Sequence, residues 1–172
     1  MKHRTHHIRA GGQRSLVGFM VGDVNYAIDV QHVVQVVNPM GITPLPDTPP
    51  SIVGVTEHRG LVAPIVDLRL MFGMHPEATR KTKWILVEVG NRVTGVVVDA
   101  VTGVFTVSSE RIQPAPELGP GDVRRPFSGM TSTEGRLVFV LDLAKLHEGF
   151  ANIVDMQTST RSEPISVKRE GT

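Results

Sequence analysis

The sequence predicts an all-β protein in which two small β-barrels arise by internal duplication. Three observations support this prediction: the apolar residues come in short runs separated by turn residues, valine is frequent in those runs, and one order of motifs occurs twice. Short apolar runs between turns indicate strands, and β-branched valine favours strands over helices. A β unit of roughly 60 residues buries little surface alone, so we expect the two copies to pack on each other.

The composition argues against several function classes. The chain has 172 residues, a net charge of +1, 5% aromatic residues and no cysteine. It therefore lacks the charge and the stacking surface that nucleic-acid binding uses, and it cannot form a disulfide or a zinc–cysteine site. No apolar run approaches the roughly 20 residues of a membrane span, and no apolar segment follows the basic N-terminus. We expect a cytoplasmic protein without direct membrane insertion.

The first copy begins with a β-hairpin that follows a polar arm. Residues 1–15 are basic and nearly free of apolar side chains, which is typical of a flexible arm. Two apolar runs, 16–21 and 26–30, flank the turn-forming residues 22–25 and predict a hairpin. The next residues, up to Val37, would fit one face of a helix, but their valines favour another strand.

The second copy repeats this plan and decides between strand and helix. Residues 90–104 correspond to residues 22–36. Gly103 lies inside the second copy and disfavours a helix there, because glycine is a poor helix former. Both stretches are therefore predicted as strand, brief turn and strand. The matched positions are Gly22 with Gly90, Ile28 with Val96, Val30 with Val98, Val33 with Val101 and Val36 with Val104.

Each copy ends with a proline-spaced segment, a glycine-bounded loop and an apolar strand. The proline segments, 42–46 and 112–116, are predicted as edges or connections, because proline donates no ladder hydrogen bond. In the loop, Arg59 has no twin, since Glu134 stands at the corresponding place. The matched positions here are Gly54 with Gly129, Thr56 with Thr131, Gly60 with Gly135, Val66 with Leu141, Asp67 with Asp142 and Leu68 with Leu143.

The paired aspartates allow a catalytic alternative, a hydrolase that uses Asp67 and Asp142. Aspartic proteases also place one carboxylate in each of two β lobes. Here, however, leucine and a short helical turn follow each aspartate, which is typical of a helix N-cap. The hydrolase predicts carboxylates within hydrogen-bonding reach of each other. We expect no catalytic residue, metal or cofactor, and the histidines show no metal-ligand spacing.

The remaining candidates for function are surface residues. Val33, Val36, Val101 and Val104 are equivalent in pairs, and some of them could face outward where the lobes meet, although core packing is the simpler interpretation for each valine. Arg59 differs because it is absent from the duplicate. A guanidinium held in a tight loop suits recognition at a protein interface, so we predict that Arg59 contacts a partner.

Several motifs in collinear order resemble the CheW family of chemotaxis coupling proteins. The similarity spans about residues 16–147. The motifs are Tyr-Ala-Ile-Asp-Val at 26–30, Ile-Thr-Pro-Leu-Pro at 42–46, Pro50, Ile-Val-Gly-Val at 52–55, Arg59-Gly60, Pro-Ile-Val-Asp-Leu at 64–68, Gly-Val-Val-Val-Asp-Ala-Val at 95–101 and the segment 137–146.

The resemblance implies two SH3-like five-stranded barrels, with subdomains at about 16–80 and 81–147, and a C-terminal tail, 148–172, that is mostly disordered. It also implies a non-catalytic scaffold that links chemoreceptor tips to a CheA-type histidine kinase. The implied receptor-binding residues are Glu57, His58, Arg59, Gly95, Val101 and Val104. The implied kinase-binding residues are Val33, Gln35, Val36 and Gly54.

Two departures from the family pattern lie at contact positions. Glu57-His58-Arg59-Gly60 replaces the usual Asn-Leu-Arg-Gly, and Gln35 stands where glutamate is frequent. We therefore hypothesise a coupling protein of an alternative chemosensory array. A free-standing binding module without a kinase is a second possibility. The long loop 116–127 is either a contact surface or a mobile segment.

Overall fold

Two five-stranded sheets organise the chain in a computed structural model that describes residues 12–116 and 126–148. Two short helices follow the fifth and the tenth strand. The strands are β1 Gln13–Val21, β2 Val24–Asp29, β3 Val33–Val37, β4 Ile52–His58, β5 Leu61–Asp67, β6 Lys83–Val89, β7 Arg92–Val98, β8 Ala100–Ser108, β9 Phe127–Thr133 and β10 Arg136–Leu141; the helices are α1 Leu68–Met71 and α2 Leu143–Glu148.

The sheets confirm the predicted all-β fold and its two five-stranded units. Sheet I has the order β8-β1-β2-β10-β9, and sheet II has the order β3-β6-β7-β5-β4. The hairpin predicted around residues 22–25 is present as β1 and β2. The stretches that could have been helical are strands, and a single 3-10 turn, Val30–His32, separates β2 from β3.

Each sheet takes strands from both sequence copies, so the subdomain boundary predicted near residue 80 is wrong for the sheets. The β1–β2 hairpin joins strands of the second copy, and the β6–β7 hairpin joins strands of the first copy. Four pairings join strands of different copies: β1 with β8 and β2 with β10 in sheet I, and β3 with β6 and β5 with β7 in sheet II. Such pairings join distant segments, and local sequence patterns do not reveal them.

The proline-spaced segments close the two barrels, as the prediction of edges or connections required. Thr43 exchanges two backbone hydrogen bonds with Val55, at 2.8 and 2.9 Å. Gln113 does the same with Met130, at 2.8 and 2.7 Å. Each closing segment thus pairs with the outer strand of its sheet, β4 or β9. The duplication therefore includes the way each barrel is closed.

A glycine at each closure explains one of the repeated sequence pairs. A Cβ atom on Gly54 would lie 2.4 Å from the Thr43 carbonyl oxygen, and one on Gly129 would lie 2.7 Å from the Gln113 carbonyl oxygen. Gly54 also has a φ of 143°, which disfavours any side chain. Glycine is needed at both positions because the closing backbone passes directly over the strand.

The main hydrophobic core lies between the two sheets and draws on both. It includes Phe19 and Ile28 from sheet I and Ile85, Val96 and Val98 from sheet II. Stacked aromatic rings extend this core, with Tyr26 at 5.3 Å from Phe72 and at 5.8 Å from both Phe19 and Phe127 between ring centroids. Shared burial of this kind holds two small barrels together, as the prediction of mutual packing required.

An ionic cluster joins helix α1 to the β1–β2 turn. The Arg69 guanidinium donates to both carboxylate oxygens of Asp99, at 2.7 Å each. Asp99 also accepts a hydrogen bond from the Gly22 backbone N–H at 2.6 Å. The hydrogen bonds with Asp99 raise the pKa of Arg69 above its usual value. Arg69 therefore stays charged wherever the protein folds, and the cluster fixes one sheet against the other.

The predicted N-terminal arm is too long at its inner end. Strand β1 begins at Gln13 and pairs with both β2 and β8, so residues 13–15 belong to sheet I rather than to an arm. Residues 1–11, the loop interior 117–125 and the tail from residue 149 lie outside the described residues. The predictions made for those segments stay predictions.

Candidate protein-interaction site

The β4–β5 hairpin of sheet II ends in a tight turn that projects Arg59. Arg59 and Gly60 have φ values of 51° and 78°, and Glu134 and Gly135, in the β9–β10 hairpin of sheet I, have 50° and 72°. Positive φ at both central residues gives a turn whose twist matches that of the flanking strands. The two hairpin tips therefore share one backbone conformation and differ in charge, with arginine on one and glutamate on the other.

The Arg59 side chain is exposed, and it makes no hydrogen bond or ion pair with any residue of the described part of the chain. Neighbouring Glu57 is also exposed. Leu61 and Val62, directly after the turn, are each 56% exposed. Protein-binding surfaces typically combine an arginine side chain with exposed apolar side chains, as this hairpin end does.

A hydrogen bond fixes this hairpin to strand β3. His58 Nε2 lies 3.2 Å from Gln35 Oε1, and both side chains are half-buried. Strands β3 and β4 stand at opposite ends of the order of sheet II, so the contact crosses the place where the barrel closes. His58 and Gln35, two of the three residues that depart from the CheW pattern, thus contact each other.

The corresponding place in sheet I has no such contact. Thr133 stands before the Glu134–Gly135 turn, as His58 stands before the Arg59–Gly60 turn, and Gly103 corresponds to Gln35 in the repeat. Glycine and threonine are too small to bridge the gap. A shallow opening lies there instead, and its lining includes Gly103, Val104, Thr133, Glu134 and Arg136.

Exposed apolar residues occur at equivalent places on both sheets. Val36 on β3 and Val62 on β5 are exposed in sheet II. Val104, 66% exposed on β8, and Leu137, on β10, hold the corresponding positions in sheet I. Each barrel therefore presents apolar side chains beside its hairpin tip.

Sequence reasoning missed the apolar residues of the two hairpins, which are Leu61, Val62 and Leu137. The available signal was an apolar residue two positions after the glycine of an exposed turn, present in both copies as Val62 and Leu137. These residues stand at the start of the apolar runs that predict a strand after each glycine-bounded loop. The burial begins only at Ala63 in β5 and at Val138 in β10.

The predicted receptor-binding residues do not form one accessible set. Glu57, Arg59 and Val104 are exposed, and His58 and Val101 are half-buried. Gly95 is buried, and a Cβ atom there would lie 2.5 Å from Ile65 Cδ1. Gly95 is therefore not exposed in this structure, and its predicted contact with a receptor stays a prediction. Its missing side chain makes room for the core of sheet II.

The predicted kinase-binding residues also need one correction. Val36 is exposed, and Val33 and Gln35 are half-buried on the same strand, β3. Gly54 is buried beneath Ile42 and Thr43, so it is not part of the exposed surface of this structure. Its role is the closure of the barrel.

The two aspartates of the hydrolase alternative cap separate helices. Asp67 Oδ1 accepts from the backbone N–H of Arg69 at 2.8 Å, and Asp142 Oδ1 accepts from that of Lys145 at 3.1 Å. Asp67 ends a strand of sheet II and Asp142 follows a strand of sheet I. The N-cap interpretation is confirmed, and the geometry gives no support to a shared-proton carboxylate pair.

The described residues contain no group of three or more histidine, aspartate or glutamate side chains placed to hold a metal ion. Among the helices in this part of the chain, none has the length and apolar character needed to cross a bilayer.

Comparison with known proteins identifies relatives over most of the chain. Residues 15–149 match the model of the CheW-like domain. The Chemotaxis protein CheW of Rhizobium meliloti is 36% identical over 145 residues, which cover 83% of this chain and 92% of that protein. Protein FrzA of Myxococcus xanthus is 35% identical over 132 residues, which cover 74% of this chain and 81% of that protein.

A solved structure shows the same fold. The crystal structure of the scaffolding protein TtCheW from Thermoanaerobacter tengcongensis superimposes with a TM-score of 0.70 at 27% sequence identity. The superposition covers 76% of this chain and 89% of that one.

Proposed function

The chain belongs to the CheW-like domain family, and we propose that it is a non-catalytic adaptor that couples methyl-accepting chemoreceptors to a CheA-type histidine kinase. Relatives named as chemotaxis proteins, and a structural neighbour named as a scaffolding protein, support a signalling adaptor. We expect it to act in the cytoplasm, at membrane-associated receptor arrays.

One structural observation supports a coupling role more than any other. Exposed apolar side chains lie beside both hairpin tips, with Val36 and Val62 on one barrel and Val104 and Leu137 on the other. Isolated apolar residues are ordinary on a protein surface, but their repetition at equivalent places gives both barrels apolar contact area. A protein that joins two partners needs apolar contact area on more than one part of its surface.

We assign the receptor tip to the hairpin end of sheet II and to two residues of β8. The contact residues retained from the sequence are Glu57, His58, Arg59, Val101 and Val104. Arg59 is the expected anchor, because its guanidinium is exposed, has no partner among the described residues and stands beside Leu61 and Val62. We do not count Gly95 among the contact residues of this proposal, because it is buried against Ile65.

We assign the kinase regulatory domain to β3. Val36 supplies exposed apolar area, and the half-buried Val33 and Gln35 lie on the same strand. Strand β3 pairs within its sheet with β6 alone, so it is an accessible sheet end apart from the closing contacts. Gly54 contributes by holding the closing segment 42–43 in place.

Reconstitution tests this function directly. The purified chain is mixed with the receptor and the CheA-type kinase of its own organism, and kinase autophosphorylation is followed with labelled ATP. If the chain is an adaptor, it raises the autophosphorylation of the kinase only when the receptor is also present. Binding to the receptor without any effect on the kinase would instead favour a free-standing binding module. No binding to either partner would reject the coupling function.

A further inference from the structure

Val101 and Val104, the two β8 residues of the proposed receptor site, lie three positions apart in one strand. Side chains alternate between the two faces of a regular strand, so residues three apart point in opposite directions. In a regular β8, a partner on one face could not contact both valines. Strand β8 is not regular between them.

A β-bulge in β8 returns the two valines to one face. The pairing of β8 with β1 shifts by one residue, because Gly103 lies opposite Gly18 whereas Val101 lies opposite Phe19. Thr102 is therefore the extra residue of β8. Without counting it, the two valines are two positions apart, which is the spacing of side chains on one face.

The neighbours of the two valines show the same shared face. Val101 lies opposite Phe19, and both pack into the core between the sheets. Val104 lies opposite Val17, which also belongs to that core. Residues directly opposite each other in an antiparallel pair have their side chains on the same face. Phe105, the next residue of β8, packs instead against the other cluster of buried residues.

Two glycines have separate roles in this bulge. Gly103 has a φ of 130°, and a Cβ atom there would meet nothing within 4 Å, so backbone conformation and not crowding disfavours a side chain. A Cβ atom on Gly18 would lie 2.6 Å from Thr102 Oγ1. Gly18 therefore leaves room for the side chain of the extra residue, and Gly103 provides the backbone conformation.

The repeat has a bulge at the same place in sheet II. The pairing of β3 with β6 shifts between Val33 and Gln35, which leaves Val34 as the extra residue. Val33 and Val36, on either side of this bulge, are the counterparts of the two β8 valines. The two strands that the proposed function assigns to different partners thus have the same irregularity between their apolar contact residues.

We propose that the bulge in β8 positions the receptor contact, because it holds Val101 and Val104 on one face of the strand where both contact an apolar surface of the receptor tip. Gly103 is then a positioning residue that need not contact the partner itself. This inference rests on the proposed function and adds the feature that makes one contact of the two valines.

Gly103→Val tests the positioning. A β-branched side chain disfavours a φ of 130°, so the bulge should change its form and turn Val104 away from Val101. Calorimetry on the full chain gives the Kd for the receptor tip, which should rise about tenfold with the loss of one apolar contact. The Kd for the kinase regulatory domain should stay unchanged, because β3 keeps its own bulge.

Deletion of Thr102 should have the opposite result. The deletion removes the extra residue, so each valine keeps its present partner on β1 in an unbroken pairing. The Kd for the receptor tip should stay within about threefold of the wild-type value. A merely structural role for the bulge predicts no such difference between the deletion and Gly103→Val.

Gly90→Val is the matched control for backbone strain. Gly90 lies in the turn between β6 and β7 with a φ of 64°, and a Cβ atom there would also meet nothing within 4 Å. Gly90→Val should lower the urea midpoint, as Gly103→Val does, but should leave the Kd for the receptor tip unchanged. If Gly103→Val does not fold, Gly103→Ala applies the strain with a smaller side chain and should also raise that Kd.

Alanine variants show whether Val104 is the residue that the bulge positions. Val101→Ala and Val104→Ala should each raise the Kd of the wild-type chain for the receptor tip. In the Gly103→Val background, Val104→Ala should raise it no further, because the valine has already left the contact.

The outcomes separate this inference from the function beneath it. If the wild-type chain does not bind the receptor tip, the proposed function is rejected and this inference with it. If it binds but both single alanine variants bind equally well, the β8 contact alone is rejected. Wild-type affinity of Gly103→Val, or an equal loss on deletion of Thr102, would overturn the positioning by the bulge.

Discussion

Thr56 and Thr131 hold equivalent positions in β4 and β9, yet their hydroxyl groups differ in hydrogen bonding. The Thr56 hydroxyl donates to the Gly41 carbonyl oxygen at 2.8 Å. The Thr131 hydroxyl is buried and has no partner within the described ranges. The duplication therefore preserved the residue but kept its hydrogen bond in one copy only.

This difference predicts opposite effects of the same substitution. Thr56→Val removes a partly buried hydrogen bond and should lower the free energy of unfolding by about 1 kcal/mol. Thr131→Val removes a buried hydroxyl that loses its hydration on folding and gains no hydrogen bond in exchange. The free energy of unfolding should therefore stay the same or rise slightly. Urea denaturation of both variants provides the comparison, and each serves as the control for the other. Equal losses in the two variants would show that the Thr131 hydroxyl is hydrogen-bonded in solution.

Glycine at the barrel closure gives a second prediction. Gly54→Ala places a Cβ atom against the Thr43 backbone, at a φ that disfavours side chains, and should lower the free energy of unfolding by about 3 kcal/mol. Gly41→Ala is the matched control, because a Cβ atom there meets nothing within 4 Å. Its effect should stay within about 0.5 kcal/mol. Thermal and urea unfolding of the two variants measure the difference. A mild effect of Gly54→Ala would mean that the closing segment moves aside easily.

The ionic cluster at the sheet junction gives a third prediction. Asp99→Asn keeps the shape of the side chain but removes the charge that faces Arg69, and should lower the free energy of unfolding by about 2 kcal/mol. The raised pKa of Arg69 means that its contribution is fully present below the pKa of the unfolded chain. Arg69 therefore adds no pH dependence to stability near neutral pH.

The control for the cluster lies in the same turn. Asp23 is exposed beside Gly22, so Asp23→Asn changes the net charge equally without touching Arg69. It should leave the urea midpoint nearly unchanged. If the two variants unfold alike, the effect of Asp99→Asn is one of net charge and not of the cluster.

Local patterns predicted the elements of this protein better than their assembly. Valine-rich runs, turn residues and the repeat gave the strands, the hairpins and both aspartate caps. They could not give the exchange of the β1–β2 and β6–β7 hairpins, because that depends on pairings between strands that are distant in the sequence. Gly54 was recognised as a repeated residue, but only the path of the closing backbone shows why it is glycine.

In the candidate site, too, the sequence predicted single residues better than their arrangement. The absence of a twin for Arg59 singled it out from sequence, and it is exposed. Gly95 was placed on the same surface, whereas it lies under Ile65, because a glycine in a strand gives no sign of which face is crowded. The contact between His58 and Gln35 spans two strands that are not neighbours in the sheet order, so no local pattern could reveal it.

Arg59 gives the last prediction, which concerns binding and not stability. Arg59→Ala removes an exposed guanidinium that has no partner in the described residues, so the free energy of unfolding should change by less than about 0.5 kcal/mol. If Arg59 anchors the receptor tip, the Kd for that tip should rise by a factor of about ten or more, as for an interface anchor. Arg80→Ala is the matched control, since Arg80 is an exposed arginine before β6, away from the hairpin. Calorimetry with the receptor tip measures both. Equal affinities in the two variants would move the receptor surface away from Arg59, and unfolding of Arg59→Ala would show that the guanidinium supports the fold.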